Sequence, residues 1–549
     1  MERKKRTIAA LLILALCLTV AACGGSDDPA DTASGSENTG SSQPTGGSEP
    51  TGGNVLSPSD VIGLPEGEDV HYADTIEVLL ETAVNVIDPY HPAAGGGGQR
   101  VTYRCVMDTL ISRTQAGEYI PDLATSWNTD DAQTYTFTLR DDVYFHNGQK
   151  FTAQDVADTV LVAHRDGVGS NGYECWRSVE EVNILGDYEV EIVLSAVNVD
   201  FLYDIATPVA SIVNRAAREA DPVAGAWVGT GAFYMSDFVS GQEFTLTRND
   251  DYFGEAPITR VLHFRHIPEN AARSITMLNG EGDVIISPAV NDMNMFVDNP
   301  DFYIYNFMHN VSSALNLNLN NPITGDINFR LAVAHALYTP DIAAVVVGDW
   351  GAPPTDGAVW GFATEFRNTD IPIYEYNPDL AREYLAASSY NGEEIQIMAG
   401  MPTNIMVQDL IAEQLGRVGI NTTLFNTDNA TIISTDVNST ETQIINGVLP
   451  FSNNAASCRN IYLPNGGSNR GKYNNQEIVD LLMLATTILD AGEREAVYRR
   501  VQEIAYEDVA IIPIFYRATP IVTVSNFGGL VVSNDHNHDY RYIFKVIED

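Results

Sequence analysis

The composition of this 549-residue chain changes abruptly near residue 70, and this change limits the folded body to residues 71–549. From Gly24 to Val70 the sequence consists mainly of Gly, Ser, Thr, Pro, Asp and Glu, and aliphatic side chains are almost absent before Val55. Such a segment cannot bury enough apolar surface to offset the entropy of ordering it. We therefore predict that residues 23–70 form a disordered tether, with a span of about 35–40 Å.

The first 22 residues have the organisation of a secretory signal peptide. A basic start at residues 3–6 precedes an apolar run at residues 8–20, and small residues stand directly before Cys23. This order is typical of a cleaved signal, and the apolar run is shorter than the roughly 20 residues that span a bilayer. Residues 18–23 also resemble a bacterial lipobox, which implies a lipoprotein signal peptide at residues 1–22 and a lipidated, N-terminal Cys23. An ordinary signal peptide that contains a cysteine is the alternative.

The formal charge of −43 excludes some classes of partner. A chain with 73 acidic and 30 basic residues repels nucleic acid and anionic lipid surfaces. Its apolar content of 44% is ordinary for a globular protein, so we expect a substantial core. We expect the protein at the extracytoplasmic face of the cell membrane, held there by lipid and not by surface charge.

The cysteines and histidines indicate neither a disulfide framework nor a metal centre. Beyond residue 23 the cysteines are Cys105, Cys175 and Cys458, an odd number without metal-binding spacing. One disulfide is possible, and three isolated buried thiols are the alternative. In the segment 535–539, His536 and His538 have the spacing for chelation on a strand, but we favour a solvated loop. We predict no bound metal and no cofactor.

Strand and helix patterns interleave through the rest of the chain. Tyr135–Arg140 alternates as a half-buried strand, and Thr152 is suited to cap the start of a helix. Val407–Val418 is predicted to be helical, with Gly419 as its C-terminal cap. Helices and strands that alternate without a fixed period indicate α/β or α+β domains and exclude a solenoid.

Several motifs within residues 75–520 occur in the order typical of one protein family. The longest lies between Tyr119 and Val156 and contains P-x-L-A-x-S-W, Y-T-F-x-L-R, V-x-F-H-x-G and T-A-x-D-V. The other matching segments are Gly229–Tyr234, Arg248–Gly254, Ile267–Asp283, Asp326–Ala336 and Asn377–Leu385. Together they resemble the extracellular solute-binding proteins of oligopeptide, dipeptide and nickel ABC importers, solute-binding protein family 5.

The resemblance implies a two-lobed, periplasmic-binding-protein-like α/β fold in which a hinge closes the lobes over a ligand in a central cleft. It implies an N-terminal lobe with an extra subdomain at residues 71–310, a second lobe at 311–505 and a C-terminal return to the first lobe at 506–549. The implied function is the capture of a peptide or peptide-like solute by a monomer that delivers it to the permease subunits of an ABC importer.

One region departs from the family pattern. Peptide-binding relatives carry there a stretch whose aspartate holds the peptide amine, but residues 444–454 contain no acid. An asparagine amide can accept from an ammonium group, although it adds no charge. An arginine shortly afterwards can meet an anionic group, and aromatic residues can line the cleft; ordinary surface or core roles are the alternatives. The candidate ligand-binding residues are Tyr173, Trp176, Asn446, Asn453 and Arg459.

No catalytic motif accompanies these features. The sequences G-x-S-x-G, H-E-x-x-H, S-x-x-K and the P-loop are absent, so we predict that the protein is not an enzyme. Two alternatives stay open: a binding protein of the same family for an oligosaccharide or a metal chelate, and a tethered surface hydrolase. Only the predicted localisation favours the hydrolase.

Overall fold

The computed structural model describes residues 54–56, 62–63, 70–92, 97–114, 117–168, 170–400, 402–427, 442–533 and 538–547. The predicted signal peptide, Cys23 and most of the predicted tether lie outside the described residues, as does His536.

The strands are numbered in chain order. They are β1 (Val55–Leu56), β2 (His71–Tyr72), β3 (Thr75–Leu80), β4 (Ile111–Arg113), β5 (Tyr119–Pro121), β6 (Ala124–Asn128), β7 (Thr134–Leu139), β8 (Val179–Gly186), β9 (Glu189–Leu194), β10 (Phe233–Val239), β11 (Glu243–Arg248), β12 (Val261–His266), β13 (Val284–Ile286), β14 (Phe302–Tyr305), β15 (Met308–Leu317), β16 (Gly351–Ala352), β17 (Ile395–Ala399), β18 (Thr422–Asn426), β19 (Ile444–Pro450), β20 (Ile511–Ala518), β21 (Ile521–Val524), β22 (Phe527–Gly528) and β23 (Phe544–Ile547).

The α-helices alternate with these strands. They are α1 (Gly97–Val106), α2 (Ala153–Asp166), α3 (Asn171–Trp176), α4 (Phe201–Ile205), α5 (Arg215–Ala220), α6 (Asn270–Leu278), α7 (Ile327–Ala336), α8 (Thr339–Val346), α9 (Pro378–Ala387), α10 (Pro402–Val418), α11 (Arg459–Tyr462), α12 (Gln476–Ala485) and α13 (Ala491–Glu507). Among the described residues, no single helix is long and apolar enough to cross a membrane; α7 and α8 reach that length only together, across a bend of 57°.

Two large mixed sheets organise the molecule. The first has eight strands in the order β1-β14-β21-β13-β3-β12-β11-β10, and the second has six in the order β16-β20-β15-β19-β17-β18. Helices pack against the sheets, with apolar cores that include Leu262 and Phe264 in the first and Ile397 and Ile411 in the second. Both sheets contain parallel and antiparallel pairs. The predicted α/β class is confirmed.

A smaller four-stranded sheet, β6-β7-β9-β8, forms with α2 and α3 a subdomain that has its own core. The alternating strand predicted at Tyr135 lies at its centre as β7, with Tyr135 and Phe137 buried. Helix α2 begins where Thr152 predicts, and the Thr152 amide donates to the Asp155 carboxylate at 2.8 Å. The predicted helix end at Gly419 is also confirmed, because Gly419 follows α10 and adopts a φ of +98°.

The chain passes between the two large sheets at two places. Strand β14 leads through residues 306–307 into β15, and β20 leads through residues 519–520 into β21. The two passages are joined by a hydrogen bond, because the Thr519 amide donates to the Phe307 carbonyl at 3.2 Å. In the segment 506–549, β20 still pairs within the six-stranded sheet, and β21 is the first strand that joins the eight-stranded sheet.

The tether prediction is wrong at residues 54–56. Val55 and Leu56 pair in parallel with Ile304 and Tyr305 of β14. The buried Asn54 amide donates to the carbonyls of Phe296 and Phe302 at 2.7 and 2.9 Å. Composition missed this strand because its partners lie more than 240 residues away in the sequence.

The packing of α12 generates a test of the second core. Leu482 is fully buried on this helix, whereas Leu489 just beyond it is 64% exposed. We expect Leu482→Ala to lower the free energy of unfolding by about 2–5 kcal/mol, because it leaves a cavity. Leu489→Ala should change it by less than about 0.5 kcal/mol. Urea unfolding of both variants measures the difference, and equal effects would contradict the packing.

Candidate ligand site

A cavity of about 160 Å³ lies between the parts of the chain that carry the two large sheets. Asn453, just after β19, comes from one side. The described residues that line the other side are Arg104, Ser112, Arg113, Thr114, Ile120, Ala206, Thr207, Pro208, Val531, Ser533, Asp539 and Arg541. A second compartment of about 270 Å³ adjoins it and shares the walls at Arg104, Ser112 and Arg541. We call the first compartment the interlobe cavity and the second the side compartment.

Three arginines line the interlobe cavity: Arg104, Arg113 and Arg541. Arg104 stands in the last turn of α1 and donates to the Ser112 hydroxyl. Arg113 ends β4, and its guanidinium carbon lies 4.6 Å from the ring centre of Tyr203 and 5.9 Å from that of Tyr119. These distances are typical of cation–π contacts. The two arginines therefore carry positive charge into a cavity of a strongly acidic protein.

Arg541 has a different environment, because Asp539 neutralises it. The Arg541 guanidinium donates to both carboxylate oxygens of Asp539, at 2.7 Å from Nη2 and 3.0 Å from Nε. Burial opposes ionisation of Asp539, but the Arg541 guanidinium outweighs it and lowers the pKa of this carboxyl to about 2. The pair is a fixed structural element of the wall.

Two carboxyls, the buried Asp108 and the half-buried Asp122, form part of the side compartment. Asp108 accepts from Thr230 Oγ1 at 2.8 Å and from the Tyr252 hydroxyl at 3.2 Å. Asp122 accepts from the Thr109 amide and hydroxyl, both at 3.1 Å. Burial raises the pKa of both carboxyls. The charge of Asp122 also raises the pKa of Asp108, and the charge of Arg541 acts in the opposite direction on both carboxyls. Their hydrogen bonds show that both are built into the first-sheet side.

An ion pair crosses between the two sides of the chain. Arg459 Nη2 lies 3.3 Å from Asp200 Oδ2, and both side chains are mostly buried. Nearby, the Val199 amide donates to the Thr486 carbonyl at 3.0 Å. We call Asp200 and Arg459 the cross-cleft pair. Asp204 adjoins it, and burial raises the pKa of Asp204 to about 7, although the charge of Arg459 acts in the opposite direction.

An acid also stands beside the stretch 444–454. The Glu365 amide donates to the Asn453 carbonyl at 2.8 Å, and a Glu365 carboxylate oxygen lies 3.4 Å from the Ala455 amide. Desolvation by the surrounding protein raises the pKa of Glu365, although its side chain is exposed to solvent. Arg113 and Asp200 are among the charges that act on it. A carboxylate from residue 365 thus lies beside this stretch, which contains no acid of its own.

Two predicted ligand residues, Asn453 and Arg459, lie at this site. Asn453 lines the interlobe cavity, and the Asn310 amide holds its side-chain oxygen. Arg459 meets an anionic group as expected, but that group is Asp200 of the same chain. Neither observation tests binding of a solute, so both ligand roles stay predictions.

The other predicted residues lie elsewhere. Trp176 is fully buried in the subdomain core, and its indole N–H donates to the Tyr90 hydroxyl at 2.9 Å. Tyr173 packs edge-on against His164, with ring centres 6.0 Å apart. Asn446 is buried within β19, opposite Leu315. None of the three lines the interlobe cavity. Trp176 and Tyr173 have packing contacts here, and the ligand roles of all three residues stay predictions.

The structure describes only some of the residues that the predictions about thiols and metal binding concern. Cys105, Cys175 and Cys458 are buried and form no disulfide. Across the ranges that the structure describes, no three His, Cys, Asp or Glu side chains come together as a metal site. His538 accepts from the Ser533 amide at 2.9 Å and packs against Phe307.

Sequence reasoning missed Arg104, Arg113, Asp200 and Glu365. No local motif marks these residues, because their partners come from distant segments. The one usable signal was that basic residues are scarce in this acidic chain, so that each arginine is a candidate functional residue.

The raised pKa of Asp204 predicts a pH dependence. Between the ordinary value of 3.8 and about 7, the native carboxyl holds a proton that the unfolded chain releases. The buried Asp204 carboxyl therefore costs little stability at low pH, and it lowers the free energy of unfolding progressively as the pH rises through this window. We expect Asp204→Asn to raise the melting temperature by roughly 2–4 °C at pH 8 and hardly at pH 4.5. Thermal melts at both pH values, with the exposed Asp251→Asn as control, measure this; a gain only at pH 4.5 would contradict it.

Comparisons with known proteins agree with this architecture. The model of the bacterial extracellular solute-binding proteins, family 5 (middle), matches residues 118–468. The nickel-binding periplasmic protein of Escherichia coli is 22% identical over 84% of this chain and 93% of its own length. Heme-binding protein A of Haemophilus influenzae is 25% identical over 72% of this chain and 78% of its own.

Solved structures show the same fold. The ABC transporter substrate-binding protein CtaP of Listeria monocytogenes superposes with a TM-score of 0.76 at 20% identity, over 87% of this chain and all of its own. The periplasmic binding protein DppA of Helicobacter pylori, in complex with the peptide STSA, gives 0.75 at 21% identity, over 86% of this chain and 98% of its own. The family model covers well over half of the chain, and the chain belongs to the bacterial extracellular solute-binding proteins, family 5.

Proposed function

We propose that this protein captures a short peptide or peptide-like solute in the interlobe cavity and presents it to the permease subunits of an ABC importer. The observation that carries the proposal is that the cavity takes its walls from both sides of the two chain passages. A solute bound there contacts both sides at once. Such a solute favours the closed arrangement by the free energy of the contacts that it makes with both.

The two passages at residues 306–307 and 519–520 are suited to act as the hinge. They are short, they lie side by side, and one hydrogen bond joins them. A bend there moves the bodies carrying the two sheets without breaking either sheet. In this proposal the lobes predicted at 71–310 and 311–505 move as bodies, and the protein works as a monomer.

Glu365 supports a peptide as the solute. It supplies a carboxylate beside Asn453, where the family's amine-binding acid is missing from the sequence. An ammonium group that meets this carboxylate and the Asn453 amide gains a charge-assisted hydrogen bond. The protein thus acts by binding, and we assign it no catalytic residue.

A metal chelate is the second candidate. The relatives named for nickel and heme favour it. Because the described residues offer no cluster of three metal-binding side chains, the solute would bring its own metal ligands. Arginines in the interlobe cavity are suited to hold the carboxylates of such ligands.

The proposal includes a lipid anchor at Cys23 and a tether that ends near Asn54. The sequence of residues 18–23 supports lipidation, and the composition of residues 24–53 supports a flexible connection. A membrane-bound, swivelling body remains close to its permease, which raises the rate at which it can deliver solute.

The peptide proposal is tested by thermal shift. We expect a pool of free tripeptides to stabilise the full chain, by about 2.7 kcal/mol at 100 times the dissociation constant. N-acetylation of the pool should weaken binding, and Glu365→Gln should weaken binding of the free pool roughly 10-fold or more while leaving the acetylated pool unaffected. Glu383→Gln, an exposed helical acid of the same half, serves as control.

Two outcomes would contradict the peptide proposal. One is a shift with oligosaccharides or with a nickel–histidine complex and none with either peptide pool. The other is hydrolysis of a cell-surface polymer without a shift from any pool, which would favour the hydrolase.

The anchor is tested by substitution of Cys23. We expect Cys23→Ser to remove the lipid and to move the protein from the membrane fraction to the soluble extracytoplasmic fraction. Cys17→Ser, in the apolar run of the same segment, should leave it in the membrane fraction. Fractionation with mass spectrometry of the N-terminal peptide measures both, and an unmodified Cys23 in membrane-bound protein would refute the anchor.

A further inference from the structure

Asn54, Val55 and Leu56 form a short strap along the edge of the eight-stranded sheet. Val55 and Leu56 pair in parallel with Ile304 and Tyr305 of β14, and no further strand lies outside them in this sheet as the structure describes it. Strands of globular proteins are usually 3–10 residues long, so a strand of two residues adds little to a sheet of eight. The place at which the strap is attached is therefore more informative than its length.

One side chain fixes the strap to the turn before β14. The Asn54 amide donates to the carbonyls of Phe296, Asn299 and Phe302 at 2.7, 3.1 and 2.9 Å. The Asn54 side-chain oxygen accepts from the Asp298 amide at 3.0 Å. Asn54 is 6% exposed, and hydrogen-bonding groups buried in this way are costly to leave without partners. The beginning of the strap is thus a firm attachment within the first sheet's part of the chain.

The other end of the strap reaches the first chain passage. The Asn306 amide donates to the Leu56 carbonyl at 3.0 Å, and Asn306 is the first residue after β14. The next residue, Phe307, accepts the hydrogen bond from Thr519 that joins the two passages. A bend at residues 306–307 turns the Asn306 N–H group, so it must disturb the bond to the strap.

A tryptophan from the part of the chain that carries the six-stranded sheet packs beside the strap. Trp350 comes directly before β16, yet it is 5% exposed in an apolar cluster with Ile304 and Val522 of the eight-stranded sheet. Val55 of the strap packs against the same cluster. The strap therefore covers a core to which both large sheets contribute, next to the passages that connect them.

We propose that the strap is a clamp on the hinge. Its bonds to β14 and to Asn306 hold the passages in the arrangement in which the parts carrying the two sheets touch. That contact includes the bond from the Val199 amide to the Thr486 carbonyl. The inference goes beyond the proposed function and takes from it one point, that the passages are the hinge. It does not depend on which solute binds.

The clamp acts by shifting a population. A group changes the balance between two arrangements only when it interacts differently with each of them. The bond from Asn306 to Leu56 supplies this difference, because Asn306 lies in the segment that bends. The bonds of Asn54 lie within one part of the chain and supply the fixed attachment. Without that attachment, the contacts across the cleft are formed for a smaller fraction of the time.

Hydrogen exchange of the full chain without solute tests the clamp. Fragmentation mass spectrometry reads single amides. Val199 reports the contact across the cleft, and Leu194, whose amide donates to the Gln133 carbonyl at 2.8 Å, reports the subdomain itself. We expect Asn54→Ala to raise the exchange rate of Val199 roughly 3- to 10-fold and to leave Leu194 unchanged.

Two further variants serve as a graded test and a control. Val55→Ala should raise Val199 exchange by a smaller factor, because it removes only packing against the shared cluster. Asn321→Ala is the matched control. Asn321 is also buried and accepts from the amides of Ile323 and Thr324, but it follows the end of β15 that is far from the passage. This variant should leave Val199 exchange unchanged. Melting curves confirm that each variant is folded.

The outcomes separate a clamp from a local edge strand. Unchanged Val199 exchange in Asn54→Ala overturns the clamp, even when exchange rises at Ile304, whose amide donates to the Asn54 carbonyl. Equal acceleration of Val199 and Leu194 overturns it too, because the subdomain itself is then loosened. Since no solute is present, failure of the peptide pools to bind leaves the clamp standing, and failure of the clamp leaves the peptide proposal standing.

Discussion

The structure depends on one backbone connection, the ribbon in which β14–β15 and β20–β21 pass side by side between the two large sheets. Within this ribbon Tyr305 pairs with Ile521 on one side and Met308 pairs with Ala518 on the other, while Thr519 bonds Phe307 between them. The described elements from β15 to β20 include the whole six-stranded sheet, and we call them the second body. Because only two short segments connect the bodies within the described chain, their relative position is the degree of freedom that costs least to change.

The contacts between the two bodies include buried charges. The cross-cleft pair links the two bodies, but it buries two charges, and such pairs gain little net free energy. Burial raises the pKa of Asp204, which lies beside this pair. A solute that contacts both bodies adds interactions that the chain alone does not provide. Closure is thereby coupled to solute binding by differential contacts, as a population shift requires.

Local chemistry allowed much of the fold to be predicted from the sequence, but only Asn453 and Arg459 of the site. The alternation around Tyr135, the cap at Thr152 and the glycine at 419 depend on neighbouring residues, so their patterns are readable. Trp176 was a candidate for the cleft because sequence shows residue type and not burial. The roles of Arg113, Glu365 and Asn54 depend on contacts with residues that are far away in the sequence. Such contacts of single residues produce no periodic pattern in the sequence from which they could be predicted.

The most direct test of the account is a crystal structure of the full chain grown with the pool of free tripeptides. The account predicts density for the solute in the interlobe cavity, with its amine within hydrogen-bond distance of the Glu365 carboxylate. A solute bound elsewhere, or a solute whose amine makes no contact with Glu365, would contradict it.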